Sequence, residues 1–404
     1  AVILTGILGG LAALSCGLQL WQWVAARRFP LHQRVQDEGN APAVTLLKPI
    51  KGCDQHTEDC LRSWFAQEYR GDIQILFAVA DAGDPAVPVI EKLRREFPQR
   101  DTQLVVCPER LGANAKVSKL AQLEAHVKYE LVVVSDADVK VPPDLLANAV
   151  VPLRDSKVGL VNCFYRLANP TTLAMRLEAV AVNADFWSQV LQSKSLKPLD
   201  FALGAVMVTR RQQLAGIGGF RALADCLADD YQLGHRIAKL GYRIELCPVV
   251  VECWESPMGW AAVGRHQLRW ARTIRVCQPL PYFFSILSNA TLWPMLWLVS
   301  LWPWMSGDSH RVAEGVFAGQ YAIAPATIVA AVFVIVRIIF TGALQSRLTL
   351  SATKLTEAWL IVCKDLLQVG NWAAAFLGNT IEWRGERYRF QRDGTLKIIS
   401  QMRK

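Results

Sequence analysis

Three acidic groupings have residue types and positions that could do chemistry together. Asp81 closes the apolar run that begins at Ile73. Asp136 and Asp138 close Leu131-Val-Val-Val-Ser135 as Ser-Asp-Ala-Asp, and Asp229-Asp230 open a helical pattern that continues through Ile237. An Asp-x-Asp on the turn after an apolar strand presents hard oxygen ligands to a divalent cation, and such a cation can bind a diphosphate. Turn capping accounts for a lone aspartate at a strand end, and capping with the helix dipole accounts for one at a helix start. Neither accounts readily for pairs. Asp230 could serve as a general base where its carboxylate reaches a substrate hydroxyl. Where the two aspartates share a partly buried site, mutual repulsion would raise one pKa and the helix end would lower it, and the sequence does not decide between them.

A basic element completes the set. Gly264-Arg-His-Gln-Leu-Arg-Trp270 lies just ahead of the uncharged stretch Val276 to Gly307. Its arginines, Arg265 and Arg269, suit anionic headgroups, while Trp270 suits a membrane–water interface.

These residues need a scaffold, and its elements are visible as apolar runs bounded by turns. Residues 44–50, 73–80, 103–107, 131–135, 158–163 and 205–209 read as short buried strands. Helical patterns fall at about 56–67, 86–97, 114–126, 171–191 and 229–240. Strand–helix alternation indicates an α/β domain with a largely parallel sheet, whose ligands sit beyond the carboxyl ends of strands. In the 171–191 helix, Leu173, Leu177, Val180, Ala184, Trp187 and Leu191 form one apolar stripe that reads as core rather than lipid groove. Gly204, with no side chain, would let another group approach the backbone closely.

The 404-residue chain has a hydrophobic fraction of 52%, high for a wholly soluble protein. Val2 to Ala26 carries no charge and is followed by Arg27-Arg28; a helix of about 25 residues spans roughly 37 Å, enough to cross a bilayer. Val276 to Gly307 and Gly315 to Val336 are also uncharged, and Ala358 to Thr380 is broken only by Lys364-Asp365. The expected layout is an anchor at 1–28, a catalytic domain at 43–275, membrane helices at 276–381 and a basic tail at 382–404. Paired charges in hydrocarbon are costly, so the stretch holding Lys364-Asp365 reads as the one that does not span.

The net charge is +9, and arginines crowd the flanks at 27, 28, 265, 269, 272, 275, 384, 387, 389 and 392. The positive-inside rule puts these flanks and the domain between them in the cytoplasm. No nucleic-acid motif accompanies the charge. Ten cysteines without CxxC or metal-ligand spacing read as reduced, mostly buried thiols.

Asp81, Ser-Asp-Ala-Asp138, Gly218-Gly-Phe220, Ala228-Asp-Asp230 and His266-Gln-Leu-Arg-Trp270 occur in the order found in membrane-bound family 2-type glycosyltransferases of the GT-A fold. The chain most resembles ceramide glucosyltransferases (glycosyltransferase family 21) and the related bacterial hopanoid-biosynthesis glycosyltransferases. The likeness extends to Trp383-Arg-Gly-Glu-Arg-Tyr-Arg389, which is similar to the ending of that group. The resemblance implies that Asp81 contacts the nucleotide with Asn114 and Lys116 nearby, that Asp136 and Asp138 hold Mg²⁺ or Mn²⁺ on a UDP-sugar with Asp138 the better ligand, and that Asp230 is the base of an inverting transfer. It places Arg269 and Trp270 near diphosphate and acceptor. His266 departs from the Gln or Arg usual at its position, and Arg265 or Gln267 could supply that contact instead. The implied protein is a multi-pass enzyme of a bacterial inner membrane that moves glucose from UDP-glucose to ceramide. The alternatives are a hopanoid-type transferase using UDP-N-acetylglucosamine, a processive polysaccharide synthase and a catalytically dead membrane scaffold.

Overall fold

The computed structural model describes residues 2–35, 39, 41–305, 317–383, 386–391 and 394–401. In chain order the first elements are α1 (Val2–Arg28), β1 (Val44–Pro49), α2 (Thr57–Phe65), β2 (Ile73–Val79), α3 (Val87–Glu96), β3 (Asp101–Val106), α4 (Ala115–Leu123), β4 (Leu131–Ser135) and β5 (Val139–Lys140). Then come α5 (Leu145–Ala149), β6 (Val158–Leu167), α6 (Leu173–Val180), α7 (Trp187–Leu196), β7 (Val206–Arg210), α8 (Arg211–Gly216), α9 (Asp229–Lys239) and β8 (Arg243–Cys253). The last are α10 (Trp260–Cys277), α11 (Pro279–Phe284), α12 (Leu292–Met305), α13 (Phe317–Thr349), α14 (Ala358–Phe376), β9 (Thr380–Trp383), β10 (Glu386–Phe390) and β11 (Leu396–Gln401).

The chain forms two compact units. One contains residues 29–175, 193–269 and 379–404, the other residues 1–28, 176–192 and 270–378. The first is built on an eight-stranded sheet of order β3-β2-β1-β4-β7-β6-β8-β5. Strands β3, β2, β1 and β4 run parallel, β7 is antiparallel to β4 and β6, and β6 and β8 are parallel. The sheet is therefore α/β but mixed, where a largely parallel one was expected. Strands β1, β2 and β4 are buried along their whole length, as their largely apolar sequences favour, with Lys48 and Gln74 among the few polar residues taken in. Strand β3 is not buried: as the edge strand it alternates between exposed and half-buried residues. The chain leaves β1 for β2 and β3 on one side and returns to β4 on the other, so a topological switch falls between β1 and β4, where α/β sheets bind ligands.

The second unit holds the apolar helices. Helix α1 and the Pro325–Thr349 part of α13 are long and apolar enough to cross a membrane; α11 and α12, bent by 49° at 289–291, make a third if read as one span. The bend falls in the Val276 stretch, and α14, which holds Lys364 and Asp365, is not among these candidate spans. Lys364 and Asp365 are 3% and 1% exposed. Their side chains pair with Arg337 and Asp185. Residues 181–186, between α6 and α7, wind as a π-helix. The apolar stripe of that helix is core apart from Leu173: Leu177 and Val180 pack on Leu360 and Ile361 of α14. All ten cysteines are free thiols, half of them buried. Arg384 and Arg392 of the expected basic flank lie outside the described residues.

Candidate active site

The site is assembled where β1, β2 and β4 end and α4 and α9 begin. Asp136 and Asp138 follow β4 on the turn into β5. That turn is pinned from several sides: the Asp138 carbonyl accepts the Trp254 N–H at 3.0 Å, and Trp64 donates its indole N–H to the Val139 carbonyl at 3.2 Å. Beneath it lies Lys48, fully buried in β1, whose ammonium donates to the Asp136 carbonyl and to Ser135 Oγ and sits 5.0 Å from the centre of the Trp64 ring. Burial pushes the Lys48 ammonium down to about 8, against the raising effect of nearby groups that include Asp138 and Asp136. Sequence reading passed over Lys48, although a lysine inside the run Val44 to Ile50 was a visible signal.

Lys116 connects the acidic groupings. It stands in the first turn of α4, 6% exposed. Its Nζ lies 2.8 Å from Asp136 Oδ1 and 3.0 Å from Asp229 Oδ2. Burial works to lower its pKa, but Asp136 and Asp229 outweigh burial and hold it above the usual lysine range. Asn114 caps the same helix: its side-chain oxygen accepts the Lys116 and Val117 N–H groups at 3.0 and 3.2 Å, while its amide nitrogen donates to the Cys226 carbonyl at 2.8 Å. Asn114 therefore locks α4 onto the segment leading to Asp229, and both ends of its amide are used in doing so.

Asp230 is half-buried and accepts the Tyr231 N–H at 2.8 Å. Burial, then the charge of Asp229, pushes its carboxyl up to about 6, with Lys116 pulling the other way. The repulsion of paired aspartates and the loss of solvent thus outweigh the helix end. Gly204 proves to be needed by the protein itself: a Cβ there would lie 2.8 Å from Asp230 Oδ2. What approaches that backbone is the Asp230 carboxylate.

At the end of β2, Asp81 is exposed and folds back to accept the Gly83 N–H at 2.8 Å. Asp84, which the sequence reading did not single out, accepts the Gly52 N–H with both oxygens at 3.1 and 3.0 Å and so ties the loop after β2 to the loop after β1. Gly52 has φ +77°, which suits glycine.

The basic element lies on α10. The Arg269 guanidinium is 5.9 Å from the centre of the Trp383 ring, and exposed Arg265 approaches Glu382 at 3.8 Å. His266 is half-buried on the same helix. The division between units passes between Arg269 and Trp270, and the Trp270 ring lies 6.3 Å from Phe186. Within the sheet unit, Asn114, Lys116, Asp136 and Asp230 are brought together, with Asp229 and Gly204 added; Asp81 stands at the neighbouring strand end, and Asp138 at the exposed end of the Asp136 turn. The carboxylates of Asp136 and Asp138 are hard oxygen donors of the type Mg²⁺ and Mn²⁺ select, so the donor set fits such an ion.

A ceramide glucosyltransferase of Candida albicans is 37% identical over 128 residues, 29% of this chain and 24% of that protein. Ceramide glucosyltransferase 3 of Caenorhabditis elegans is 25% identical over 219 residues, 54% of this chain and 47% of that one. An N-acetylglucosaminyltransferase of Mesorhizobium japonicum is 24% identical over 250 residues, 57% and 56% of the two chains. The two ceramide glucosyltransferases are thus matched over about half of their own length or less. Among solved structures, a mannosyltransferase from Pyrobaculum calidifontis in complex with GDP-Man and Mn²⁺ superposes with TM-score 0.49 at 23% identity, covering 89% of this chain and 99% of its own. The model of glycosyl transferase family 21 matches residues 7–396, nearly the entire sequence, and the chain belongs to that family.

Proposed function

We propose that this protein is an inverting lipid glycosyltransferase with a GT-A-type site, moving a hexose from a UDP-sugar to the hydroxyl of a membrane lipid. UDP-glucose and ceramide are the proposed pair, in keeping with the names of the C. albicans and C. elegans relatives. The observation that carries the reading is Asp230, a carboxyl raised to about 6 beside an Asp136–Lys116–Asp229 bridge at the strand ends.

Asp230 would take the proton of the acceptor hydroxyl as that oxygen attacks the anomeric carbon, with the bond from that carbon to UDP breaking on the opposite face. A base with that pKa is about nine-tenths ionised at pH 7 and remains strong enough to accept a proton in the transition state. Asp138, with Asp136, would hold Mg²⁺ or Mn²⁺, which supplies Lewis-acid neutralisation of the diphosphate when bound. Lys116 keeps Asp136 and Asp229 at fixed separation, Asp81 would contact the nucleoside, and Arg265 and Arg269 would offset charge on the departing UDP. Trp270 and His266 would face the acceptor side. The sheet unit would work on the cytoplasmic face, where soluble donor and embedded acceptor meet.

The name of the M. japonicum relative is in keeping with a second reading, in which UDP-N-acetylglucosamine is the donor; the acceptor proposed with it is a polycyclic hopanoid lipid. Incubating the purified protein with UDP-glucose or UDP-N-acetylglucosamine against ceramide and hopanoid acceptors, with products identified by mass spectrometry, separates the two. Product from neither donor on any lipid would overturn both.

A further inference from the structure

The tail from Trp383 to Arg389 has no part in the chemistry above, yet it is bonded to the segments that carry it. In the β9–β10–β11 sheet, Glu386 pairs with Trp383 and Tyr388 with Ile381. The side chains of Glu386 and Tyr388 meet Arg110. Both Arg110 terminal nitrogens donate to Glu386, each at 2.7 Å, and one also donates to Tyr388 Oη at 3.1 Å; the Tyr388 hydroxyl itself donates to Glu386. The remaining Arg110 bonds go to its own loop, to the Gly112 carbonyl at 3.2 Å and the Ala113 carbonyl at 2.9 Å. A bidentate arginine–carboxylate pair joined to a tyrosine has fixed geometry, unlike a single surface ion pair.

The same loop is bonded across to the segment ahead of α9. Ala113 N–H donates to Asp225 Oδ1 at 2.8 Å, and Asn114 N–H to the Ala224 carbonyl at 2.7 Å. A Cβ on Gly112 would fall 2.5 Å from the Ala224 carbonyl oxygen, so the two segments lie as close as a glycine permits. The tail holds this second segment too. Leu396 N–H donates to the Asp225 carbonyl at 2.8 Å, and Thr395 bridges Cys226. A few residues beyond these two anchor points stand Lys116 and Asp229.

We propose that Arg110, Glu386 and Tyr388 are positioning residues, through which the C-terminal sheet clamps the 110–114 loop to the 224–226 segment and so sets the Asp136–Lys116–Asp229 bridge. The effect on donor binding rests on the nucleotide-sugar reading above; the clamp itself does not. Trp383, whose ring centre lies 5.9 Å from the Arg269 guanidinium, gives the sheet a contact with α10 as well.

The test uses the full chain in detergent, as wild type, Glu386→Gln and Tyr388→Phe, with two readouts. Hydrogen exchange is expected to quicken in peptides covering 110–118 and 224–230, and not in α13 or α14. Calorimetric titration with UDP plus Mn²⁺ is expected to show affinity about tenfold weaker for Glu386→Gln and about threefold weaker for Tyr388→Phe, in line with loss of charged and neutral hydrogen bonds. With UDP-glucose as donor, the weakening should appear in KM, with kcat within about twofold of wild type. Unchanged exchange in both peptides overturns the clamp. Quicker exchange with unchanged UDP–Mn²⁺ affinity, in a protein whose wild type binds it, overturns the link to the site. A wild type that does not bind UDP with Mn²⁺ counts against the nucleotide-sugar reading instead, and the exchange measurement still decides whether the tail holds Lys116 and Asp229.

Discussion

Asp230 is tuned by its two neighbours in opposite senses, and that makes its role measurable. Its carboxyl stands at about 6 because burial and Asp229 disfavour the anion more than Lys116 favours it. A base is active when ionised, so kcat/KM should be level above pH 7 and fall about tenfold per pH unit below pH 6. Asp229→Asn removes a negative neighbour and should move that acid limb to lower pH, whatever it does to the plateau. Asp230→Asn should lower kcat by about 10²–10⁴, the usual contribution of a positioned base; turnover near the wild-type level would remove Asp230 from the mechanism. Gly204→Ala tests placement rather than acidity. Its methyl would press on Asp230 Oδ2, and displacement of a reacting group by about 1 Å can cost roughly a hundredfold in rate. The expected result is a large loss of kcat with the pH limb still present, read by comparing pH–rate profiles of the two proteins.

At the scale of elements, α4 shows how a helix start can organise a site without touching substrate. Asn114→Ala removes the cap and leaves the Cys226 carbonyl without its partner; caps are worth about 1 kcal/mol, which for a unit of this size lowers the unfolding midpoint by about 2–4 °C. Asn114→Ser supplies a capping oxygen without the amide nitrogen and should recover part of that loss, as thermal unfolding of the three proteins would show. An equal loss in both would mean that the amide nitrogen, not the cap, is what matters. The capping role was not legible from Gly112-Ala-Asn-Ala-Lys116 alone, because a cap and a ligand contact use the same residue type. Strands β1, β2 and β4 of the parallel half were legible, since strands buried on both faces are mostly apolar. Strand β8 was not: Arg243 to Cys253 contains Glu245, Pro248 and Glu252, and alternates between buried and half-exposed residues because it lies towards the sheet edge. The tail strands were hidden for a related reason. Arg387 and Arg389 point outward between buried Tyr388 and Phe390, so an alternating strand looked like a basic tail. The acidic residues were readable because their types and strand-end positions are themselves the signal. Their connection through Lys116 was not, since a bridge between residues so far apart in sequence exists only once the sheet has formed.

At the scale of the whole molecule, the most demanding feature is a group of four charges buried in the helical unit. Asp185 sits in the π-helical turn, Arg337 in α13, and Lys364 and Asp365 in α14, none more than 5% exposed. Arg337 binds Asp185 with two nitrogens at 3.0 and 2.8 Å and Asp365 with two at 2.8 and 2.7 Å, and Lys364 contacts both carboxylates. The set is neutral, which is what allows it to sit among apolar helices, because an unpaired charge there is costly. It also accounts for the break between α11 and α12: Asn289 donates to the Asp365 carbonyl and Thr291 to its carboxylate, so the chain bends where those two residues turn towards α14. Arg337→Met leaves two carboxylates facing one lysine, and breaking a buried ion group in this way typically costs about 3–5 kcal/mol. Arg337→Met combined with Asp365→Asn restores neutrality and should regain part of that loss, even though it removes a second charged group. Thermal unfolding in detergent distinguishes this from simple packing, since additive losses in the double variant would mean that charge balance is not what holds these helices together.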